Sequence, residues 1–484
     1  MAGGRFLHFS FLQRKDAMTD HRGSPSPQVR PRSFSSFVPA RRRGLPGALL
    51  AIALIAASTL PAARGQETFA QAKPEDLGFR LPQGQPKPGG GRRVVLREGG
   101  KTLVGKVYLE VEDTLVVLLP DGRLTSTPTR DATITDRPFE PATKEEMVAQ
   151  LKAKFPGFKT RTTRRYIFVY NTSEAFFKAT SRILETMYPP LFAYVKRQKI
   201  EVHDPETPMV AVMFKTQEAF NKYRTMPDGV AAYYNTVTNR VIMYEQSQLA
   251  ELAPELAVKQ SISTIAHEGV HQILHNIGVQ KRLSRWPMWI SEGLPEYFAP
   301  TETGRRVRWK GVGLPNDLRM HTLVEHIKAT GNGPRSLSLR DTVSARQLDA
   351  LGYARSWALV HYLTKMHKKE FFDYLRAVSK LEPLEPPPPA GKLFGEFFNS
   401  NFDEHEEGLY KHLKKVKYVD PIASQTHYVA MLQNAVLRTV IITPSPAAVK
   451  QWRREKNGQG RFGVKAFGNK ALAERFAKAW LNAG

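Results

Sequence analysis

Apolar and polar positions come in blocks of different period along this chain, and the period predicts the elements. Ala48–Leu60 is an uncharged run, short of the roughly 20 residues that span a bilayer. It follows Arg41-Arg42-Arg43 and precedes the small residues Ala62, Ala63 and Gly65, the order of parts in an export signal. Residues 1–65 are therefore expected to be an N-terminal extension and signal peptide, and the protein to be exported to the periplasm, the cell envelope or the exterior. Residues 66–91 are rich in Pro, Gly and Gln and read as a linker.

From Arg92 the pattern turns strand-like. Val94-Val95-Leu96, Leu103–Val107, Leu115–Leu119 and Thr133–Thr135 are short β-rich runs, punctuated by Gly99-Gly100 and Asp121-Gly122. They predict a small SH3-like, β-barrel-like module over 92–137. A helix is expected within 140–155, strands at Tyr166–Tyr170 and Met209–Phe214, and helices at Glu174–Tyr188 and Gln217–Tyr223. Tyr233-Tyr234 and Val241–Tyr244 suggest a hairpin around Asn239. Residues 257–380 read as mostly helical. Strands followed by helices make an α+β fold, with a mixed sheet packed on a long helix and a helical subdomain after it. Glu382–Pro389 reads as a stiff Pro-rich insertion, and 391–418 as helical again. Residues 421–484 read as a small C-terminal α/β unit with two strand-like runs, Tyr428–Leu432 and Leu437–Ile442. The main domain is taken as 140–420.

One helix within that domain carries chemistry. In Ser263-Thr264-Ile265-Ala266-His267-Glu268-Gly269-Val270-His271-Gln272 the two histidines are four apart, so both leave one face of a helix. Two imidazoles so spaced can grip one metal ion at about 2.0–2.1 Å. Glu268, beside the first of them, is expected to act as general base on water. A catalytic zinc takes three protein ligands and keeps one open position. The segment Trp289-Ile290-Ser291-Glu292-Gly293-Leu294-Pro295-Glu296-Tyr297-Phe298 offers the third. Glu292 could ligate, and Glu296 could orient a ligating histidine by accepting its other N–H. Pro295 restricts a helix here, being best tolerated in a first turn.

The HEGVHQ string followed by WISEGLPEYF resembles the gluzincin metallopeptidases, in particular the peptidase-MA-like branch of bacterial secreted proteins. The resemblance runs from about Tyr166 to Tyr418. It implies a thermolysin-like arrangement, Zn2+ held by His267, His271 and Glu292, and Glu268 as the base. Tyr353, in Tyr353-Ala354-Arg355-Ser356-Trp357, matches the position of a tyrosine that donates to the oxyanion in aminopeptidase-type members. It also implies that a strand beside the metal helix pairs with extended peptide substrate, for which Val241–Tyr244 is the candidate. The motif that anchors a substrate N-terminus in aminopeptidases has no clean counterpart.

Composition narrows the chemistry. The 484 residues include no cysteine, so any metal must sit on nitrogen and oxygen ligands. The formal net charge is +26, which by itself suggests a polyanionic partner. Residues 1–65 hold ten Lys/Arg and two Asp/Glu, so the remainder keeps +18. No nucleic-acid motif accompanies that charge. The expected partners are a peptide or protein substrate and an anionic cell-envelope surface, not nucleic acid. The leading expectation is thus a secreted zinc metallopeptidase. The alternative is a catalytically inactive envelope binding or scaffold protein on the same fold.

Overall fold

A computed structural model describes residues 79–483 apart from 228, 246–253, 304–306, 436 and 457–459. The predicted extension and signal peptide lie outside the described residues. Among the described residues no helix is long and apolar enough to cross a membrane.

The N-terminal strands are β1 (Lys87–Pro88), β2 (Arg93–Glu98), β3 (Lys101–Val111), β4 (Thr114–Leu118), β5 (Leu124–Pro128) and β6 (Ala132–Ile134). They form a sheet of order β5-β4-β3-β2-β6, with β1 added to the far half of β3. The end strands do not pair, so the expected barrel is an open sheet. The reason lies in what covers it. Leu109, Val111, Val116 and Leu124 pack against Val237, Leu283 and Leu384 from later in the chain, so the body closes one apolar face and self-closure is unnecessary. Part of the stretch read as linker belongs to this assembly, because Phe79 is buried in the same cluster. The Pro-rich insertion docks here too, with Leu384 N–H donating to Leu283 O at 2.9 Å.

After α1 (Lys144–Lys154) comes a second sheet: β7 (Lys159–Thr162), β8 (Tyr166–Tyr170), β9 (Met209–Phe214), β10 (Ala232–Asn235) and β11 (Arg240–Tyr244), with α2 (Glu174–Arg197) and α3 (Gln217–Tyr223) between them. Its order is β10-β11-β9-β8-β7. β8, β9 and β11 are parallel, and the end strands run antiparallel to them. Phe168, Met213 and Val241 face one core, while Val169, Val212 and Ile242 face another. Burial on both faces explains why these strands read as unbroken apolar runs. Val241–Tyr244 cannot take up a substrate strand, because β10 and β9 already pair with its two edges. The free edge on this side belongs to β10. Helix α2 outruns its expected end at Tyr188, passing through Pro189-Pro190. Fully buried Leu191 and nearly buried Val195 offset the hydrogen bonds those prolines remove.

The helical part comprises α4 (Pro254–Asn276), α5 (Met288–Phe298), the hairpin β12 (Thr301–Thr303) and β13 (Val307–Trp309), α6 (Asp317–Thr330), α7 (Leu339–Ser344), α8 (Ala350–Met366), α9 (Lys368–Ser379), α10 (Ala390–Phe398) and α11 (Phe402–Leu413). Pro295 falls in the second half of α5, later than a helix usually tolerates; every α5 residue is buried, which holds the turn in place. Last come β14 (His427–Gln433), β15 (Arg438–Thr443), α12 (Pro446–Glu455), β16 (Arg461–Phe467) and α13 (Lys470–Asn482). This sheet has order β15-β14-β16. α12 covers one face through Val449 and Trp452, and α13 the other through Ala473 and Ala477. β16 was not expected from the sequence, since Gly463 and Lys465 interrupt its alternation.

Candidate metal centre

The centre is assembled where α4 passes between α2, the β10 edge and α5. Gly269 permits the approach on one side: a Cβ there would lie 2.3 Å from Leu184 Cδ2 of α2. Gly293 does the same between α5 and α8, where a Cβ would lie 2.5 Å from the Ser356 carbonyl oxygen. At Gly293 the α5 and α8 backbones nearly touch, and α5 carries Glu292 under the two histidines of α4.

Three atoms converge. His267 Nε2 lies 3.1 Å from Glu292 Oε2, His271 Nε2 lies 3.3 Å from the same oxygen, and the two Nε2 atoms are 3.1 Å apart. Ligands about 2.0–2.1 Å from a tetrahedral ion are separated by about 3.3 Å, so the triangle has the right size for one cation. All three side chains are buried, and this His-His-Glu group could hold a metal ion. Glu292 Oε1 is buried with no hydrogen-bond partner among the described residues. An unsatisfied buried carboxylate oxygen is costly unless a cation is nearby.

Glu296 does not join the triangle. Its Oε1 lies behind His267, 3.1 Å from Nδ1. That carboxylate is itself fastened: Arg319 Nη2 donates to Oε1 at 2.5 Å and Asn316 Nδ2 donates to Oε2 at 2.8 Å. Arg319 also lies over the Tyr353 ring, 5.0 Å from its centroid. Tyr353 is almost fully buried, its ring 5.9 Å from that of His267. Glu268 points the other way, toward β10, and accepts the Tyr234 backbone N–H at 2.8 Å. It is half-buried, more exposed than the triangle.

The field at this point favours positive charge. Burial opposes a proton on His267, yet Glu292 and Glu296 together push it up to about 10. Burial works against the charged form of Glu292 too, but His271 and His267 hold its carboxyl down at about 2. Glu296 is held at about 2 against burial by Arg319 and then His267. Glu268 is raised, mainly by burial. Burial, then Glu292 and Glu268, keep the Tyr353 phenol well above its ordinary range, so it remains a donor.

Residues 261–385 match a family described as protein of unknown function (DUF1570). The match covers about a quarter of the chain and takes in every side chain of the centre from His267 to Tyr353. No curated protein matches the chain.

The structure thus brings His267, His271 and Glu292 together, with Glu296 behind them and Glu268 and Tyr353 beside them. Sequence reasoning missed Arg319, Asn316 and the Tyr234 N–H. Asn316 had a weak signal, as the cap residue before α6. Arg319 had none, because its partner is set by how α6 lies on α5.

Proposed function

We propose that this chain is a secreted zinc metallopeptidase of gluzincin type that hydrolyses peptide bonds. The observation that carries the reading is the buried His267–His271–Glu292 triangle with a carboxylate beside it that is not a ligand. A purely structural site would have no use for Glu268, which is half-buried and, among the described residues, is held by the Tyr234 N–H. That observation favours an enzyme over the inactive scaffold.

His267, His271 and Glu292 would hold the ion, and nitrogen–oxygen ligands of this kind suit zinc. A bound zinc would supply Lewis acidity, polarising the scissile carbonyl and acidifying water. Glu268 takes the proton from the attacking water and passes it to the leaving amine. Tyr353 donates its O–H to the oxygen that becomes negative. Glu296, fixed by Arg319 and Asn316, keeps the His267 ring oriented. Extended substrate would lie along the β10 edge. The centre of the sheet, the metal helix and the helices after it support a thermolysin-like reading of the fold.

The test is hydrolysis of a quenched fluorescent peptide library by zinc-loaded protein and by Glu268→Gln. The variant should keep its zinc and lose activity by about 10²–10⁴-fold. Zinc retention with no hydrolysis by the unaltered protein would favour the scaffold.

A further inference from the structure

The charge that survives outside residues 1–65 is unevenly distributed, and its densest part lies far along the chain from the metal centre. Residues 421–484 hold ten Lys/Arg against two Asp/Glu. In the body, cations are commonly neutralised: Arg92 by Glu110, Lys106 by Glu206, Lys310 by Asp317, Lys369 by Asp373. In the C-terminal unit only Lys470 has a carboxylate within reach among the described residues, Glu474 at 3.7 Å. Lys450, Arg453, Arg454, Lys456, Arg461, Lys465, Arg475 and Lys478 are all exposed. Exposed cations left without acidic partners favour a polyanion as partner.

Their arrangement has a centre. Among the described residues β16 pairs with β14 alone and so forms a free edge of the unit. Arg461 and Lys465 stand on one face of it, about 13 Å apart at the usual rise per residue. Arg453, from α12, lies over the Phe462 ring at 4.9 Å, which ties a third cation to the same strand. Lys465 lies over Phe476 at 4.7 Å and links the edge to α13. Arg453 thus flanks the β16 edge from the α12 face and Arg461 and Lys465 from the α13 face, so an extended polymer lying along the edge could meet all three.

The same contacts leave bases nothing to add. Phe462, Phe476 and Trp480 each have a ring face taken by the protein's own cation, the last by Arg438 at 5.3 Å. None of the unit's described aromatic residues is exposed. Single-stranded nucleic acid is held largely by stacking on open aromatic faces, and none is offered here. We propose that the C-terminal unit binds a linear polyanion without bases, such as a polyol-phosphate polymer, along the β16 edge through Arg453, Arg461 and Lys465.

The test uses the full chain and two probes of about 20 phosphates, an abasic phosphodiester oligomer and oligothymidylate, followed by fluorescence anisotropy over a salt series. Three displaced counterions at roughly 0.7 each give an expected log–log salt slope of about −2. The two probes should bind alike. A triple variant, Arg453→Gln, Arg461→Gln and Lys465→Gln, should weaken binding by roughly tenfold and flatten the slope. A control triple variant of exposed body lysines, Lys328→Gln, Lys369→Gln and Lys411→Gln, should bind as the unaltered protein does. If the first triple variant misfolds, Lys465→Gln alone keeps the test, with a smaller loss in the same direction. Absence of binding to the abasic probe overturns the proposal, as does equal loss in both triple variants. Clearly tighter binding of oligothymidylate would indicate a nucleic-acid site instead.

Discussion

His267 is held from two sides: Nε2 faces His271 and Glu292, while Nδ1 faces a carboxylate that Arg319 and Asn316 fix. A carboxylate behind a metal-ligating imidazole sets its orientation and raises its basicity, and losing one typically costs 10–100-fold in metal affinity. Glu296→Ala should therefore weaken zinc binding by about 10–100-fold in competition with a chelating dye, with Arg319→Ala changing it in the same direction by less. Unchanged affinity in Glu296→Ala would mean that the carboxylate does not support the ligand. At this scale the sequence was highly informative. Two histidines four apart on one helix have little freedom to point elsewhere, so local spacing alone brought them together. Glu292 needed tertiary packing but sat in a segment whose aromatic neighbours suggested burial. Arg319 lay beyond reach, since nothing within α6 says which carboxylate its guanidinium will meet.

Elements meet at this centre through glycines. Gly293 lets α5 rest on α8, with the Ser356 carbonyl where a side chain would go. Because the obstacle is backbone, it cannot swing aside as a flexible side chain would. Gly293→Ala should destabilise the fold by about 1–3 kcal/mol in denaturant unfolding and also weaken zinc binding, since Glu292 is the adjacent residue. Stability unchanged from the unaltered protein would show that α5 and α8 do not pack this closely. Element types were mostly readable, because strands buried on both faces and amphipathic helices leave clear periods. Their closure was not. The N-terminal strands carry the pattern of a small barrel, yet Val237, Leu283 and Leu384 cover their face, and those residues lie more than 100 positions away in sequence from the nearest of the strands they cover. Likewise Val241–Tyr244 looked like a strand free to bind peptide until its two neighbours were known.

Across the whole molecule, the centre links stability to pH. In protein stripped of metal, the proton affinity of His267 is raised from 6.5 to about 10 by its carboxylate neighbours, against the effect of burial. A raised group stabilises fully below its unfolded value and loses that contribution as the pH climbs through its folded value. Glu292 is depressed from 4.5 to about 2, so its contribution is present above 4.5 and is lost as the pH falls through 2. Stripped protein should accordingly lose Tm between pH 6.5 and about 10. Zinc-loaded protein should not show that loss, because the cation takes the place of the proton. A flat Tm across this window in stripped protein would contradict the coupling of His267 to Glu292 and Glu296. The most direct test of the account is anomalous diffraction at the zinc edge from crystals grown with zinc. One peak is expected, about 2.0–2.1 Å from His267 Nε2, His271 Nε2 and a Glu292 oxygen, with Glu268 beside its open side. No peak at that point, or a peak ligated by Glu296 in place of Glu292, would contradict it.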